Sequence, residues 1–329
     1  MIAALAKLID WSAIQVQSAR TPRANGQNPR LEEALHFLRG PDFIPAENQP
    51  ARVEFDGPLH FRFPSPRPCD YTENNIVYGR LYRCEEHWQE RPVIVLLHGW
   101  NSVISHRFRF PLIARRCNQA GFNAATLVAP YHFQRRPRQP VALIGGDYLR
   151  LAERTAQAIA EIRALTGWLL GEGCPSIALW GGSYGGWLAG LTACHDARLM
   201  AVVMAVPGVR SNRSRAGRVI WRRSREVLQS QRVALEMLDM TSLNLTTLQP
   251  AIPKERILLI EASYDLVTPK EPIEELWQKW GQPDIWRLPH GHFSFSLVGA
   301  PCLMTSSVLR WLAPRLDLPT LQQRPSDAA

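Results

Sequence analysis

The chain has 329 residues, 46% of them hydrophobic and 20% charged, with a formal net charge of +9. That is ample for one large core, and no apolar run reaches the roughly 18 residues that a membrane-spanning helix needs. The basic balance comes without a nucleic-acid recognition motif or a phosphate-binding loop, so no nucleic-acid partner is expected.

The opening, MIAALAKLIDWSAIQV, lacks a basic start, and Lys7 and Asp10 interrupt its apolar part, which argues against a secretory signal peptide. One helix fits there and Pro-, Asn- and Arg-containing sequence follows, so residues 1–50 are predicted to form an accessory segment laid over the core. From residue 51 to 315, short β-branched or apolar runs alternate with helical patterns, the signature of an α/β sheet with crossover helices. The runs are LHFRF from Leu59, NIVYGRLYR from Asn75, VIVLLHG from Val93, FNAATLV from Phe122, SIALW from Ser176, MAVVMAV from Met200, RILLIEA from Arg256 and DIWRL from Asp284. They predict a mostly parallel sheet of eight strands with helices on both faces. FPSPRPCDYTENN, between the first two runs, is too short for a crossover helix, so that pair is expected to be antiparallel. The stretch from Asp147 to Leu170 carries apolar residues at helical spacing. Residues 209–253 depart from the alternation. Trp221, Leu228, Leu235 and Leu238 recur there at helical spacing and predict a helical cap, while residues 316–329 read as a disordered tail. Six scattered cysteines, with no C-x-x-C pair and no neighbouring histidine at metal spacing, point to reduced thiols in a cytoplasmic protein and to no metal site.

Within SIALWGGSYGGWLAG, Ser183 stands among glycines between a predicted strand and a predicted helix, in the pattern G-x-S-x-G from Gly181 to Gly185. Such a turn holds the serine in a strained conformation with its hydroxyl exposed, and small residues two before and two after it let helix and strand approach. A hydroxyl is a poor nucleophile at neutral pH and needs a base, which in turn needs a group to orient it. Asp265 follows the strand ILLIEA and is the expected orienting acid, with Glu261 inside the strand as its competitor. The last strand runs into HGHFSF, where His292 is favoured over His290 as the base. The backbone N–H groups of Tyr184, next to the serine, and of Trp100, after VIVLLHG, are the expected oxyanion donors. His98 is expected to be structural.

These residues resemble the α/β-hydrolase superfamily from about Phe55 to Leu312: His-Gly after the third strand, the glycine-flanked serine after the fifth, the aspartate after the seventh and the histidine after the eighth. The layout is most similar to the bacterial esterase and dienelactone-hydrolase-like branch, although that branch often has cysteine where this chain has Ser183. FRFPSP, ENNIVYGRLYR and APYHFQRR are similar to a group of uncharacterised bacterial members. The resemblance implies the α/β-hydrolase fold, a triad of Ser183, Asp265 and His292, and hydrolysis of a carboxylic ester or thioester through an acyl-enzyme without a cofactor. An acyltransferase, or a non-catalytic binding protein on the same fold, is the alternative.

The charge is concentrated. Between Arg210 and Gln249 stand eight arginines against Glu226, Glu236 and Asp239, and YHFQRRPR adds Arg135, Arg136 and Arg138 without an acid. Both segments leave strand ends on the side of the sheet where the site is expected. His132, Arg222, Arg223 and Arg225 are therefore candidate substrate contacts, for a small-molecule or lipid ester and for peripheral contact with an anionic membrane.

Overall fold

The computed structural model describes residues 2–20, 30–47, 49–84, 87–138, 147–209, 236–238, 240–297, 302 and 304–317. Its strands are β1 (Glu54–Asp56), β2 (His60–Pro64), β3 (Ile76–Tyr82), β4 (Val93–Leu97), β5 (Asn123–Leu127), β6 (Ile177–Gly182), β7 (Ala201–Ala205), β8 (Ile257–Ala262) and β9 (Asp284–Leu288). They form one sheet in the order β1-β2-β3-β5-β4-β6-β7-β8-β9. The pairs β1–β2, β2–β3 and β3–β5 are antiparallel. From β5 through β4 to β9 every pair is parallel. All eight predicted runs are strands. The ninth, β1, is a three-residue edge with every residue exposed, so it has no apolar alternation for a sequence to display.

The helices are α1 (Ile2–Arg20), α2 (Leu31–Arg39), α3 (Phe110–Gln119), α4 (Tyr148–Gly171), α5 (Tyr184–His195), α6 (Lys270–Lys279), α7 (His292–Leu297) and α8 (Thr305–Leu312). The parallel strands are buried on both faces, which is why they read as continuous apolar runs. β4 sends Val93, Val95 and Leu97 into one core and Ile94 and Leu96 into the other; β8 divides in the same way, Ile257 and Leu259 against Leu258 and Ile260. The first core is closed by α4, α5 and α6 through residues such as Ile159, Leu188 and Ile273. The second is closed by α3 and α8 through Ile113 and Val308. α4 is capped by Asp147, whose Oδ1 accepts the Arg150 N–H at 3.2 Å. α2 packs on α4 through Leu35, Leu38 and Ala152. The predicted cap, 209–253, and tail, 316–329, fall largely outside the described residues. The cysteines are free, and no described helix is long and apolar enough to cross a membrane.

One arginine of the YHFQRRPR segment lies inside this packing. Arg135 is 0% exposed and its guanidinium donates to both carboxylate oxygens of Glu161 on α4, at 2.6 and 2.7 Å. It also donates to the carbonyls of Val128 and Asn74, while Ser65 donates its hydroxyl to Glu161. The expectation of an unpaired Arg135 at the site mouth is thereby corrected: a guanidinium this deeply desolvated requires a carboxylate, and Glu161 supplies it from a later element. Arg138 has Glu73 at 3.8 Å. Arg136 donates to a neutral side chain, Asn101 Oδ1, at 2.7 Å. Glu161→Ala leaves the buried guanidinium without its counter-charge, and we expect it to cost about 3–5 kcal/mol of unfolding free energy. A denaturant midpoint close to that of the wild type would contradict the pairing.

Candidate active site

β6 ends at Gly182 and α5 begins at Tyr184, and Ser183 between them has φ 54° and ψ −115°. A serine held there is strained, and the surrounding packing has to impose the conformation. A Cβ on Gly181 would lie 2.1 Å from the Gly185 carbonyl oxygen, and one on Gly185 would lie 2.2 Å from the Leu97 carbonyl oxygen. Glycine at both places therefore lets the helix leave the strand so tightly. The turn after β4 lies against the same point: a Cβ on Gly99 would come within 3.6 Å of Ser183 Cβ. Trp100 follows, its ring 5.3 Å from that of Tyr184.

The loops after β8 and β9 bring the two other predicted residues to the serine. His292 Nε2 is 3.0 Å from Ser183 Oγ, and its Nδ1 is 2.7 Å from Asp265 Oδ2. Because a carboxylate accepts at Nδ1, that nitrogen carries the proton and Nε2 is left to accept from the hydroxyl. Asp265 is itself fixed. Its Oδ1 accepts the N–H groups of Val267 and Thr268, both at 2.7 Å, and Oδ2 accepts the Thr268 hydroxyl at 2.9 Å. Burial of the His292 ring works against its protonation, but the charge and hydrogen bond of Asp265, with the charge of Asp10, outweigh it and raise the imidazole above its ordinary value. A hydroxyl, an imidazole and a carboxylate in this order can pass a proton from oxygen to ring while the carboxylate stabilises the imidazolium.

The competing residues lie elsewhere. Glu261 is buried within β8, where desolvation and then Glu274 hold its carboxyl up at about 7. His290 places its ring beside Phe295, and its carbonyl accepts the Tyr264 N–H at 2.9 Å. His98 has both ring nitrogens engaged: Nε2 accepts the Ala129 N–H at 3.1 Å, so Nδ1 carries the proton and donates to the Gly99 carbonyl at 2.8 Å. It holds the turn that carries Trp100. His132 requires a correction. It is 1% exposed, stacked on Tyr184 at 5.6 Å and edge-on to Trp100 at 4.9 Å, so it backs the site rather than reaching a substrate. Arg222, Arg223 and Arg225 lie outside the described residues.

Ser183 and His292 open into a cavity of about 600 Å³ whose lining includes Ile104, Phe110, Trp180, Phe293 and Phe295. Arg109 is the arginine in that lining among the described residues, and its Nη1 lies 3.4 Å from the Ser105 hydroxyl. Sequence reasoning missed one residue of this neighbourhood, Asp10 on α1. The available signal was an acid on an otherwise apolar stripe, four residues from Ala6 and from Ile14, which are both buried.

A strand-ending serine on a glycine-flanked turn, with aspartate and histidine from the ends of the last two strands, on a mostly parallel sheet covered on both faces, is the layout of the α/β-hydrolase fold. The chain has the α/β-hydrolase fold, and the family model described as "Alpha/beta hydrolase domain containing 18" matches residues 51–213, just under half of its length. Uncharacterized protein Rv2627c of Mycobacterium tuberculosis (strain ATCC 25618 / H37Rv) is 31% identical over 243 residues, which are 70% of this chain and 56% of that protein. The match thus spans little more than half the length of this curated relative. Among solved structures, acetyl xylan esterase 1 from Thermoanaerobacterium sp. JW/SL YS485 superimposes with a TM-score of 0.60 at 13% identity, covering 89% of this chain and 98% of that one. The Pyrococcus furiosus esterase Pf2001 gives 0.55 at 15% identity, over 82% and 100% of the two chains. At these identities the likeness is one of fold.

Proposed function

We propose that the protein is a serine hydrolase that cleaves a carboxylic ester or thioester through an acyl-enzyme on Ser183. The observation that carries this reading is the chain of short contacts from Asp265 through His292 to Ser183, ending in an apolar cavity. In the first step His292 Nε2 takes the Ser183 proton as Oγ bonds to the carbonyl carbon. The oxyanion that forms is met by the N–H groups of Tyr184 and Trp100. Collapse breaks the bond to the leaving oxygen or sulfur, which takes the proton back from His292. Water then repeats the sequence, giving its proton to His292 as it attacks the acyl carbon and releasing the acid and free Ser183.

The apolar lining supports an apolar acyl group, and Arg109 supports an anionic group on the substrate. Val103, Ile104, Phe108 and Leu112 are exposed beside this cavity, and from His98 to Gln119 the chain has Arg107, Arg109, Arg115 and Arg116 and no acidic residue. That combination supports lipid esters and peripheral contact with an anionic membrane as part of the proposal. Six free cysteines support a reducing, cytoplasmic location.

The test is a series of p-nitrophenyl esters of increasing acyl length, read for turnover and for a burst of nitrophenol. We expect kcat/KM to rise with chain length and the burst to match the enzyme concentration when deacylation is slow. A carboxylate-bearing ester should lose rate with added salt more steeply than a neutral one, and Arg109→Gln should flatten that difference. Partition of the acyl group to an added alcohol in preference to water would turn the reading to an acyltransferase. Absence of turnover on every ester and thioester would leave the fold as a binding scaffold.

A further inference from the structure

Asp10 stands 282 positions before His292 in the chain, yet it is 0% exposed and wedged between the two loops that carry Asp265 and His292. Its Oδ2 accepts the Leu266 N–H at 3.0 Å and the His292 N–H at 2.8 Å, and its Oδ1 accepts the Phe293 N–H at 2.8 Å. Leu266 is the neighbour of Asp265. One carboxylate therefore grips the backbone next to the acid and the backbone of the base at the same time. The fit allows nothing larger beside it, since a Cβ on Gly291 would meet Asp10 Oδ2 at 2.7 Å. This gives the glycine before His292 its reason.

The helix that carries Asp10 is built to deliver it. Ala6, Asp10 and Ile14 form the buried stripe of α1, while Ile2, Leu5, Leu8 and Trp11 face outward. α1 packs on α7, the short helix that begins at His292, and Ala13 of α1 lines the cavity in which Ser183 stands. Backbone N–H groups in the loops after β8 and β9 would otherwise need water or a local cap. Here they are satisfied by one residue from the far end of the chain, with the two bonds to the His292 turn, at 2.8 Å, the shorter of the three.

We propose that Asp10 is a positioning residue of the active site, holding the Asp265 loop and the His292 turn at the separation that keeps His292 Nε2 in reach of Ser183. The N-terminal helix is then part of the catalytic unit and not an accessory laid over it. The inference rests on the reading of Ser183, His292 and Asp265 as the reacting set. Removing the carboxylate loosens two loops whose relative placement sets the Ser183–His292 contact, and a displacement of about 1 Å in such a contact can cost on the order of 100-fold in rate. It also removes one of the two carboxylate charges that favour the His292 imidazolium; the other is that of Asp265, and the Thr268 and Ser183 hydroxyls are the neutral groups that face the ring.

The test uses the full chain with Asp10→Asn, which keeps the size of the side chain, and Asp10→Ala, with the exposed Leu5→Ala on the same helix as a control. We expect Asp10→Asn to lower kcat on a soluble ester by about 10- to 100-fold with KM little changed. The titration midpoint of the His292 ring, followed by NMR, should move to lower pH. Leu5→Ala should leave both values in place. A residue that only glued α1 to the core would lower the unfolding temperature without moving the His292 midpoint. A folded Asp10→Asn protein with wild-type kcat and an unmoved midpoint overturns the proposal. The ring titration does not depend on catalysis: a midpoint that moves in a wild-type framework unable to hydrolyse any ester would uphold the contact and reject the reacting set.

Discussion

Replacement of Ser183 by alanine is expected to lower kcat/KM for any ester substrate by about 10⁴-fold or more while leaving the unfolding midpoint nearly unchanged. The size of the loss follows from what the hydroxyl does in the proposed reaction: it supplies the oxygen that bonds to the acyl carbon, and no neighbouring group can take its place. Ser102 also lines the cavity, but its hydroxyl donates to Ser105 at 2.8 Å, and among the described residues no imidazole is hydrogen-bonded to it. The fold should tolerate the change because alanine can sit where serine sits. The strained φ of 54° is imposed by the packing of Gly181 against Gly185, and the Ser183 N–H keeps its bond to the Ala205 carbonyl. Circular dichroism and thermal melts would separate loss of chemistry from loss of structure.

The two histidines of HGHFSF should respond in opposite ways. His292→Ala is expected to cost about 10³- to 10⁴-fold or more in kcat/KM, because it removes the only ring in hydrogen-bond reach of both Ser183 and Asp265 among the described residues. His290→Ala should keep most of the activity, since that ring packs against Phe295 and its backbone bonds survive the substitution. The pH profile gives a second check. A base must be neutral to take a proton, so the rate should rise through the His292 midpoint and level off above it. The carboxylates of Asp265 and Asp10 place that midpoint above the ordinary histidine value of about 6.5. A limb whose midpoint lies well below that value would contradict the electrostatics of the pair. The reverse pattern of activities would transfer the role of base to His290.

The serine turn was legible in the sequence because its cause is local: the clashes that require Gly181 and Gly185 arise between residues four positions apart and the strand beside them. Asp265 and His292 could be placed because loops after parallel strands meet at one edge of the sheet, so the position of a residue after its strand carries spatial information. Asp10 could not be placed by that logic. Its partners are three backbone N–H groups, which leave no mark in side-chain identity, and they lie some 256 to 283 positions away. Arg135 was misread for a related reason. Charge summed over a short segment omits a partner such as Glu161, which arrives from α4. His132 does follow β5 at the expected edge, yet its ring turns inward to stack on Tyr184, and the direction of a side chain within a loop depends on packing that short patterns do not encode.

The measurement that bears most directly on the proposed reaction is the site of covalent modification by a fluorophosphonate. Such a probe reacts quickly only with a hydroxyl that has a base in contact and oxyanion donors nearby. The expected result is a single adduct on the peptide containing Ser183, formed in the wild-type protein and in His290→Ala, and lost in Ser183→Ala and His292→Ala. An adduct on Ser102 or Ser263, or a wild-type protein that takes up no probe while folded, would contradict it.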